Sequence, residues 1–94
     1  MSRIMKQLKL LRIRSCARFI AKKCGRKIED GYIYDDGNLR ISFSRYMTTI
    51  FYPNEHGERK MVFSYSLTQH DSIFYEGKWL RDFANRYNSL KNTA

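Results

Sequence analysis

The sequence has few of the residues that break or cross-link a chain, with 1 proline, 5 glycines and 2 cysteines among 94 residues. This composition argues against disorder and low complexity. Cys16 and Cys24 lie in one predicted helix, separated by about 12 Å along its axis, which is too far for a disulfide bond. His56 and His70 are far in sequence from each other and from the cysteines, so metal-ligand spacing is missing. We expect no disulfide, no metal site and no cofactor.

Long apolar runs are also missing from the chain. No segment approaches the roughly 20 apolar residues of a membrane-spanning helix, and charges interrupt every candidate signal-peptide core. Hydrophobic residues nevertheless make up 43% of the chain and aromatic residues 15%, which is enough for a modest core. The sequence predicts one soluble, intracellular domain over residues 1–94, with no membrane partner.

Acidic residues are absent from the first 27 positions, which hold 10 of the 18 lysines and arginines. The other 67 residues carry 8 basic and 9 acidic side chains, so the net charge of +9 comes from the N-terminal segment. Like charges four residues apart on a helix, such as Arg14 and Arg18, repel each other by a few tenths of a kcal/mol. Because this arrangement brings no folding benefit, it favours an anionic partner.

Four other interpretations of the basic segment are a solvated helix face, a mitochondrial presequence, a membrane-surface helix and a structural subunit of a ribonucleoprotein. A presequence would be removed, and the core would then lose the apolar cover of Ile13, Ala17 and Ile20. A membrane-surface helix would favour aromatic anchors, and Phe19 is the only one. Composition alone leaves all four open.

Apolar residues recur at helical spacing near both ends of the chain. The first set predicts a helix over about residues 3 to 24, which Gly25 ends. The second predicts a helix from about Lys78. The apolar positions of the two helices are Ile4, Leu8, Leu11, Ile13, Cys16, Ala17, Ile20 and Cys24, then Trp79, Leu80, Phe83, Ala84, Tyr87 and Leu90.

The central residues alternate with the period of β-strands. The segment GYIYDDGNLRISFS predicts a hairpin that turns at residues 35–38, because Asp-Gly is a strong turn signal. The run RYMTTIFYP, the loop NEHGERK and an alternating strand from Met61 predict a second hairpin. Residues 73–75 fit either a short edge strand or a packed loop. The sequence predicts an α+β fold with an N-terminal basic helix, a three- to four-stranded antiparallel sheet and a C-terminal helix packed on the sheet.

This order of elements is shared with double-stranded RNA-binding domains, but the phosphate-binding residues are not. Those domains have a lysine cluster at the start of the second helix, where this chain has Lys78 and Arg81 with Asp82. The Gly-aromatic motif of RNA-recognition-motif sheets is also absent from the strands. Neither family is predicted.

The second half of the chain, IFYPNEHGERKMVFSYSLTQHDSIFYEGKWLRDFANRYNSL, combines two strands around a polar Gly-containing loop with an acidic-aromatic stretch and a helix that begins with Trp-Leu. This pattern resembles the C-terminal half of small phage host-takeover proteins, such as the phage inhibitor of host dGTPase and some anti-CRISPR proteins. The resemblance implies a non-enzymatic inhibitor that occupies a host protein in the bacterial cytoplasm, often one that handles nucleic acid. The basic helix differs from the acidic, nucleic-acid-mimicking members.

Candidate catalytic groups are His56 beside Glu55 and Glu58, and His70 beside Asp71. Both histidines also fit ordinary turn positions. The sequence contains no nucleophile with a neighbouring base, no Gly-rich phosphate loop and no paired-carboxylate metal site. We therefore expect no enzymatic activity.

The composition and charge pattern predict a small binding protein with an anionic partner, and the resemblance implies that it docks on a host protein or nucleoprotein complex. The alternative is a protein that binds DNA or RNA directly, with weak sequence selectivity. In either case the predicted contacts to the anionic partner are Arg12, Arg14, Arg18, Lys22, Lys23, Arg26, Arg40 and Arg45.

Overall fold

The computed structural model describes residues 3–68 and 72–92, which form two helices and six strands. The predicted first helix, hairpin turn and second helix are confirmed. The elements in chain order are α1 (Arg3–Cys24), β1 (Arg26–Ile28), β2 (Gly31–Asp35), β3 (Arg40–Ser44), β4 (Met47–Pro53), β5 (Arg59–Ser66), β6 (Ser72–Phe74) and α2 (Trp79–Lys91).

The strands form one antiparallel sheet in the order β1-β2-β3-β4-β5-β6, so each strand pairs with the next one in the chain. The predicted α+β class is confirmed, but the predicted number of three to four strands is wrong. The additional strands, β1 and β6, are three residues long and form the two edges. For residues 73–75, which fit either an edge strand or a loop in the sequence, β6 decides in favour of the edge strand. β1 was not predicted, because three residues show too little alternation to be recognised from sequence.

Both helices contribute to one hydrophobic core on one face of the sheet. Ile41, Ile50 and Phe63 pair across β3, β4 and β5 and are fully buried. They pack in the same cluster as Trp79 and Phe83 of α2. From α1 the cluster receives Leu10, Ile13, Ala17, Ile20 and Ala21.

The end of α1 is fixed by a close approach between Gly25 and the sheet. The Gly25 amide donates to the carbonyl oxygen of Ala21 at 2.9 Å. A Cβ at Gly25 would lie 2.4 Å from the carbonyl oxygen of Ile33 and 2.5 Å from that of Ala21. Only glycine fits there without moving the backbone, so the predicted helix stop has a steric cause.

The hairpin between β2 and β3 turns through residues 35–38, as predicted. Asp36 Oδ1 accepts hydrogen bonds from the amides of Asn38 and Leu39 at 2.9 and 2.8 Å. Gly37 has a φ of +96°, which L side chains rarely adopt. The Asp-Gly pair thus supplies both the side-chain acceptor and the conformational freedom that the turn needs.

The second face of the sheet, called the open face below, carries no helix among the described residues. Its residues alternate along each strand with the buried residues, or they pair across strands with residues that alternate in this way. They are Arg26, Ile33, Asp35, Arg40, Ser42, Ser44, Met47, Thr49, Phe51, Arg59, Met61, Ser64, Ser66 and Ile73.

Candidate interaction surface

The outward side of α1 presents three exposed cations, Arg12, Arg18 and Lys22. In the described part of the chain none of the three forms an ion pair. At about 100° per residue they fall within an arc of about 120°, together with Leu8, Leu11 and Ser15. These six residues are called the basic face below.

Two exposed leucines interrupt the cations of the basic face. The exposed fraction is 61% for Leu8 and 42% for Leu11. They line an open groove of about 850 Å³ that extends to Ile13 and to Leu80 of α2. The other residues that line this groove are Lys9, Arg12 and Ser15, so its polar lining is basic or neutral.

The helical spacing predicts that Leu8 and Leu11 lie on the apolar stripe of α1, and this prediction is wrong. The structure buries Leu10 instead, with an exposed fraction of 1%. Leu10 precedes Ile13 by three residues and Ala17 by seven. It therefore lies on the same side of the helix as they do and continues the buried stripe of the second half of α1. This spacing was the signal in the sequence that Leu10 is buried. No comparable signal indicated that Leu80 of α2 contributes to the groove.

Arg14 and Lys23 lie on α1, but their side chains contact other elements of the fold. The Arg14 guanidinium lies over the Phe43 ring, 5.1 Å from the centroid, and its Nε is buried without a hydrogen-bond partner among the described residues. Lys23 Nζ donates to the carbonyl oxygen of Leu90 at 3.3 Å. It thereby binds one of the carbonyls that a helix C-terminus leaves unpaired. Both side chains tie α1 to its neighbours in the fold.

The other three predicted contact residues lie away from the basic face. Arg26 is exposed on β1 and pairs across the strands with Ile33 of the open face. Arg40 is on the open face, with its guanidinium 3.6 Å from the carboxylate of Asp35. Arg45 is exposed in the turn after β3, beside the Tyr46 ring. The structure therefore brings together Arg12, Arg18 and Lys22 and separates them from the rest of the predicted set.

A polar cluster joins the β2–β3 turn to α2. Arg86 Nε lies 2.6 Å from Asp36 Oδ2, and the Tyr34 hydroxyl donates to the same oxygen at 2.9 Å. Burial, followed by the hydrogen bond to Asp36, raises the pKa of Tyr34 to about 12. Nearby, the Tyr52 hydroxyl donates to Asp82, and this bond raises the pKa of Tyr52. The cluster borders a cleft of about 420 Å³, and its contacts hold α2 against the sheet.

Two aspartates of this turn have lowered pKa values. Arg59 donates to Asp35 Oδ2 at 2.8 Å, and this hydrogen bond holds the pKa of Asp35 well below its ordinary value. Burial alone would raise the pKa of Asp36. The amides of Asn38 and Leu39, the Tyr34 hydroxyl and the Arg86 charge together outweigh that effect, so the pKa of Asp36 is also lowered.

Acidification below about pH 4 is expected to destabilise the fold through these two carboxylates. Both folded-state pKa values are lowered, so their stabilisation is present above the unfolded-state pKa of about 4 and is lost as the pH falls through the folded-state values. The check is the urea midpoint between about pH 7 and pH 2.5, followed by the fluorescence of Trp79, the only tryptophan.

The Asp36→Asn variant should lose less stability on acidification than the wild type, because it removes one of the two titrations. Glu58→Gln, at an exposed loop position, is the matched control and should follow the wild-type curve. A wild-type midpoint that stays constant down to about pH 3 would contradict the assignment.

The predicted catalytic candidates do not assemble into a site in the described residues. His56 is exposed in the loop between β4 and β5, where its amide donates to Asn54 Oδ1 at 2.8 Å. The Glu58 amide donates to the same oxygen at 3.0 Å, so Asn54 organises the loop. His70 and Asp71 lie outside the described residues. Within residues 3–68 and 72–92, no group of three His, Cys, Asp or Glu side chains could hold a metal ion.

The two cysteines are free, Cys16 half-buried against the core and Cys24 exposed at the end of α1. Burial raises the pKa of the Cys16 thiol. A thiol of raised pKa is a poorer nucleophile at neutral pH, so Cys16 serves the packing of α1.

Comparison with known proteins identifies no relative of this chain. No protein-family model, curated protein or solved structure matches it. The relationship to phage host-takeover proteins that the second half of the chain implies therefore stays a prediction. Among the described residues, no helix is both long enough and apolar enough to cross a bilayer.

Proposed function

We propose that the protein is a non-enzymatic inhibitor of the phage type, which docks through its basic face on an acidic surface of a host nucleic-acid-processing or defence complex such as CRISPR-Cas. The observation that carries the proposal is the exposure of Leu8 and Leu11 among Arg12, Arg18 and Lys22. Protein interfaces combine an apolar centre with arginine and a charged rim. The basic face and its groove have this composition.

The leucines favour a protein partner over a nucleic acid. A phosphate backbone is bound by cations and hydrogen-bond donors, and an exposed leucine adds nothing to such contacts. An acidic protein surface with apolar positions would be complementary to both components. The three cations would then steer the encounter, and the leucines would be buried in the complex.

Direct binding of DNA or RNA is the second candidate, favoured by the absence of any acidic residue before Glu29. Three phosphate contacts on duplex DNA would make log K fall by about 2.7 units per unit of log salt concentration. They would also leave binding insensitive to the loss of Leu8 and Leu11. The two candidates thus differ in their dependence on salt and on the leucines.

The test is a pull-down with tagged protein from bacterial lysate, with and without nuclease treatment, read by mass spectrometry. We expect a companion protein in near-equal stoichiometry that survives nuclease. Replacing Arg12, Arg18 and Lys22 by alanine should weaken its binding about 100-fold, at roughly 1 kcal/mol per exposed charge pair. The double variant Leu8→Ser, Leu11→Ser should weaken it as well.

The matched control replaces Lys60, Arg81 and Lys91 by alanine, which lowers the net charge equally at exposed positions elsewhere. It should retain binding. Loss of the companion on nuclease treatment, or unchanged binding by the leucine double variant, would reject the inhibitor proposal in favour of nucleic-acid binding.

A further inference from the structure

The centre of the open face is uncharged although no described element covers it. Ile33, Ser42, Thr49, Ser64 and Ile73 pair side by side across five strands. A sheet face that meets water usually carries long polar or charged side chains at such positions. Here three short hydroxyl side chains lie between two isoleucines, and one of the three, Ser64, is buried with an exposed fraction of 8%. Arg26 extends the row beyond Ile33 on the edge strand β1.

Apolar side chains flank this row on both sides. Phe51 and Met61 pair with each other on β4 and β5, next to the row. Met47 lies on the other side of it with an exposed fraction of 39%. An apolar area of this kind on a sheet is characteristic of an interaction surface.

The charged residues of the open face lie at its margins, with Asp35, Arg40 and Arg59 at one end of the strands and Arg26 beside Ile33 on the edge strand β1. Asp35 is paired with Arg59 at 2.8 Å and with Arg40 at 3.6 Å. The Asp35–Arg59 pair joins β2 to β5, which are separated in the sheet by β3 and β4. The open face therefore has a far lower charge density than the opposite side of the molecule, where α1 lies.

We propose that the open face is the interface of a two-fold symmetric homodimer, with a second copy of this chain as its occupant. Hydroxyl groups both donate and accept hydrogen bonds, so Ser42 and Thr49, which are only partly buried, can pair with the same hydroxyls of a second copy. Two chains of net charge +9 repel each other least through their least charged faces. The open face meets both conditions.

The dimensions of the face suit a small dimer interface. Six strands at a spacing of about 4.8 Å span about 24 Å, and strands of five to eight residues are about 17 to 26 Å long. The projected area is then on the order of 400–600 Å² per copy, and side-chain relief adds to it. Stable interfaces bury about 800 Å² per partner, and weaker ones bury less.

The proposed dimer carries its two basic faces on opposite outer sides. In each copy α1 packs on the sheet face opposite the interface. The dimer would then present two equivalent cationic surfaces that one compact partner domain cannot contact together. This inference stands independently of the proposed function, because it rests on the open face alone.

The test is sedimentation velocity of the full chain at roughly 1 to 300 µM, a range that covers dissociation constants of weak to moderate dimers. We expect the wild type to shift with concentration from 11.3 kDa to twice that mass. Thr49→Arg places like charges near the two-fold axis and should weaken the dimer at least 10-fold. Ser42→Arg, on the neighbouring strand, should do the same.

Ser15→Arg adds the same charge at an exposed position of α1 and is the matched control, which should dimerise like the wild type. Circular dichroism checks that each variant is folded. If one of the two open-face variants does not fold, the other still tests the proposal. A wild type that stays monomeric over the whole range would overturn the proposal. So would a dimer that folded Thr49→Arg or Ser42→Arg leaves unchanged.

Discussion

Replacing Trp79 by alanine is expected to lower the free energy of unfolding by about 3–5 kcal/mol. Trp79 has an exposed fraction of 2%, and its ring makes edge contacts with Phe74 and Phe83 at centroid distances of 6.1 and 5.7 Å. Its indole Nε1 also donates to the carbonyl oxygen of Tyr75 at 2.6 Å. The variant would leave a cavity where α2, β6 and the sheet meet, and an acceptor without its donor.

The measurement is urea unfolding followed by far-ultraviolet circular dichroism, since the variant lacks the fluorescent side chain. Tyr75→Ala is the control, because that side chain is 62% exposed and its backbone oxygen is retained. The control should change stability by no more than about 0.5 kcal/mol. A loss below about 1.5 kcal/mol for Trp79→Ala would show that α2 is not anchored as described.

Replacing Gly31 by alanine is expected to cost about 3 kcal/mol or more, the second large effect. A Cβ at this position would lie 1.8 Å from the carbonyl oxygen of Phe43 and 2.8 Å from Cα of Ser44. These are backbone atoms of β3, which Gly31 faces directly in the strand pairing. The clash cannot be relieved by a side-chain rotation, so β2 and β3 must separate at this end.

The matched control is Gly77→Ala, where the nearest atom to a new Cβ is Trp79 Cδ1 at an ordinary 3.6 Å. We expect little change there, or a slight gain from the reduced entropy of the unfolded chain. Thermal unfolding of the two variants beside the wild type makes the comparison. Equal midpoints for Gly31→Ala and the wild type would refute the close approach of β2 to β3.

The sequence was sufficient to predict those elements whose neighbouring residues carry a clear helix or turn signal. The first helix has three turns of consistent spacing and ends at Gly25, and its predicted bounds are confirmed. The hairpin at residues 35–38 was predicted from Asp-Gly, and the structure supplies the matching φ at Gly37. Such elements are decided by residues close together in the chain.

The edge strands and the composition of the candidate surface depend on contacts between distant residues. β1 consists of Arg26, Lys27 and Ile28, and only its pairing with β2 makes it a strand. The roles of Arg14 and Lys23 are set by Phe43 and by the carbonyl of Leu90. Charge counting therefore predicted which segment is basic, but it could not separate the cations that contact other elements of the fold from those of the basic face.

The sequential order of the strands bears on how the chain acquires its fold. Every pair of neighbouring strands is joined through a short connection, so the sheet can grow by one hairpin at a time with little loss of loop entropy. Topologies of low contact order fold fast. During synthesis α1 leaves the ribosome before the strands, and its apolar side stays uncovered until β2 and β3 have followed. Because that interval is only about twenty residues of elongation, or a few seconds, the chain exposes its apolar helix briefly before the sheet covers it.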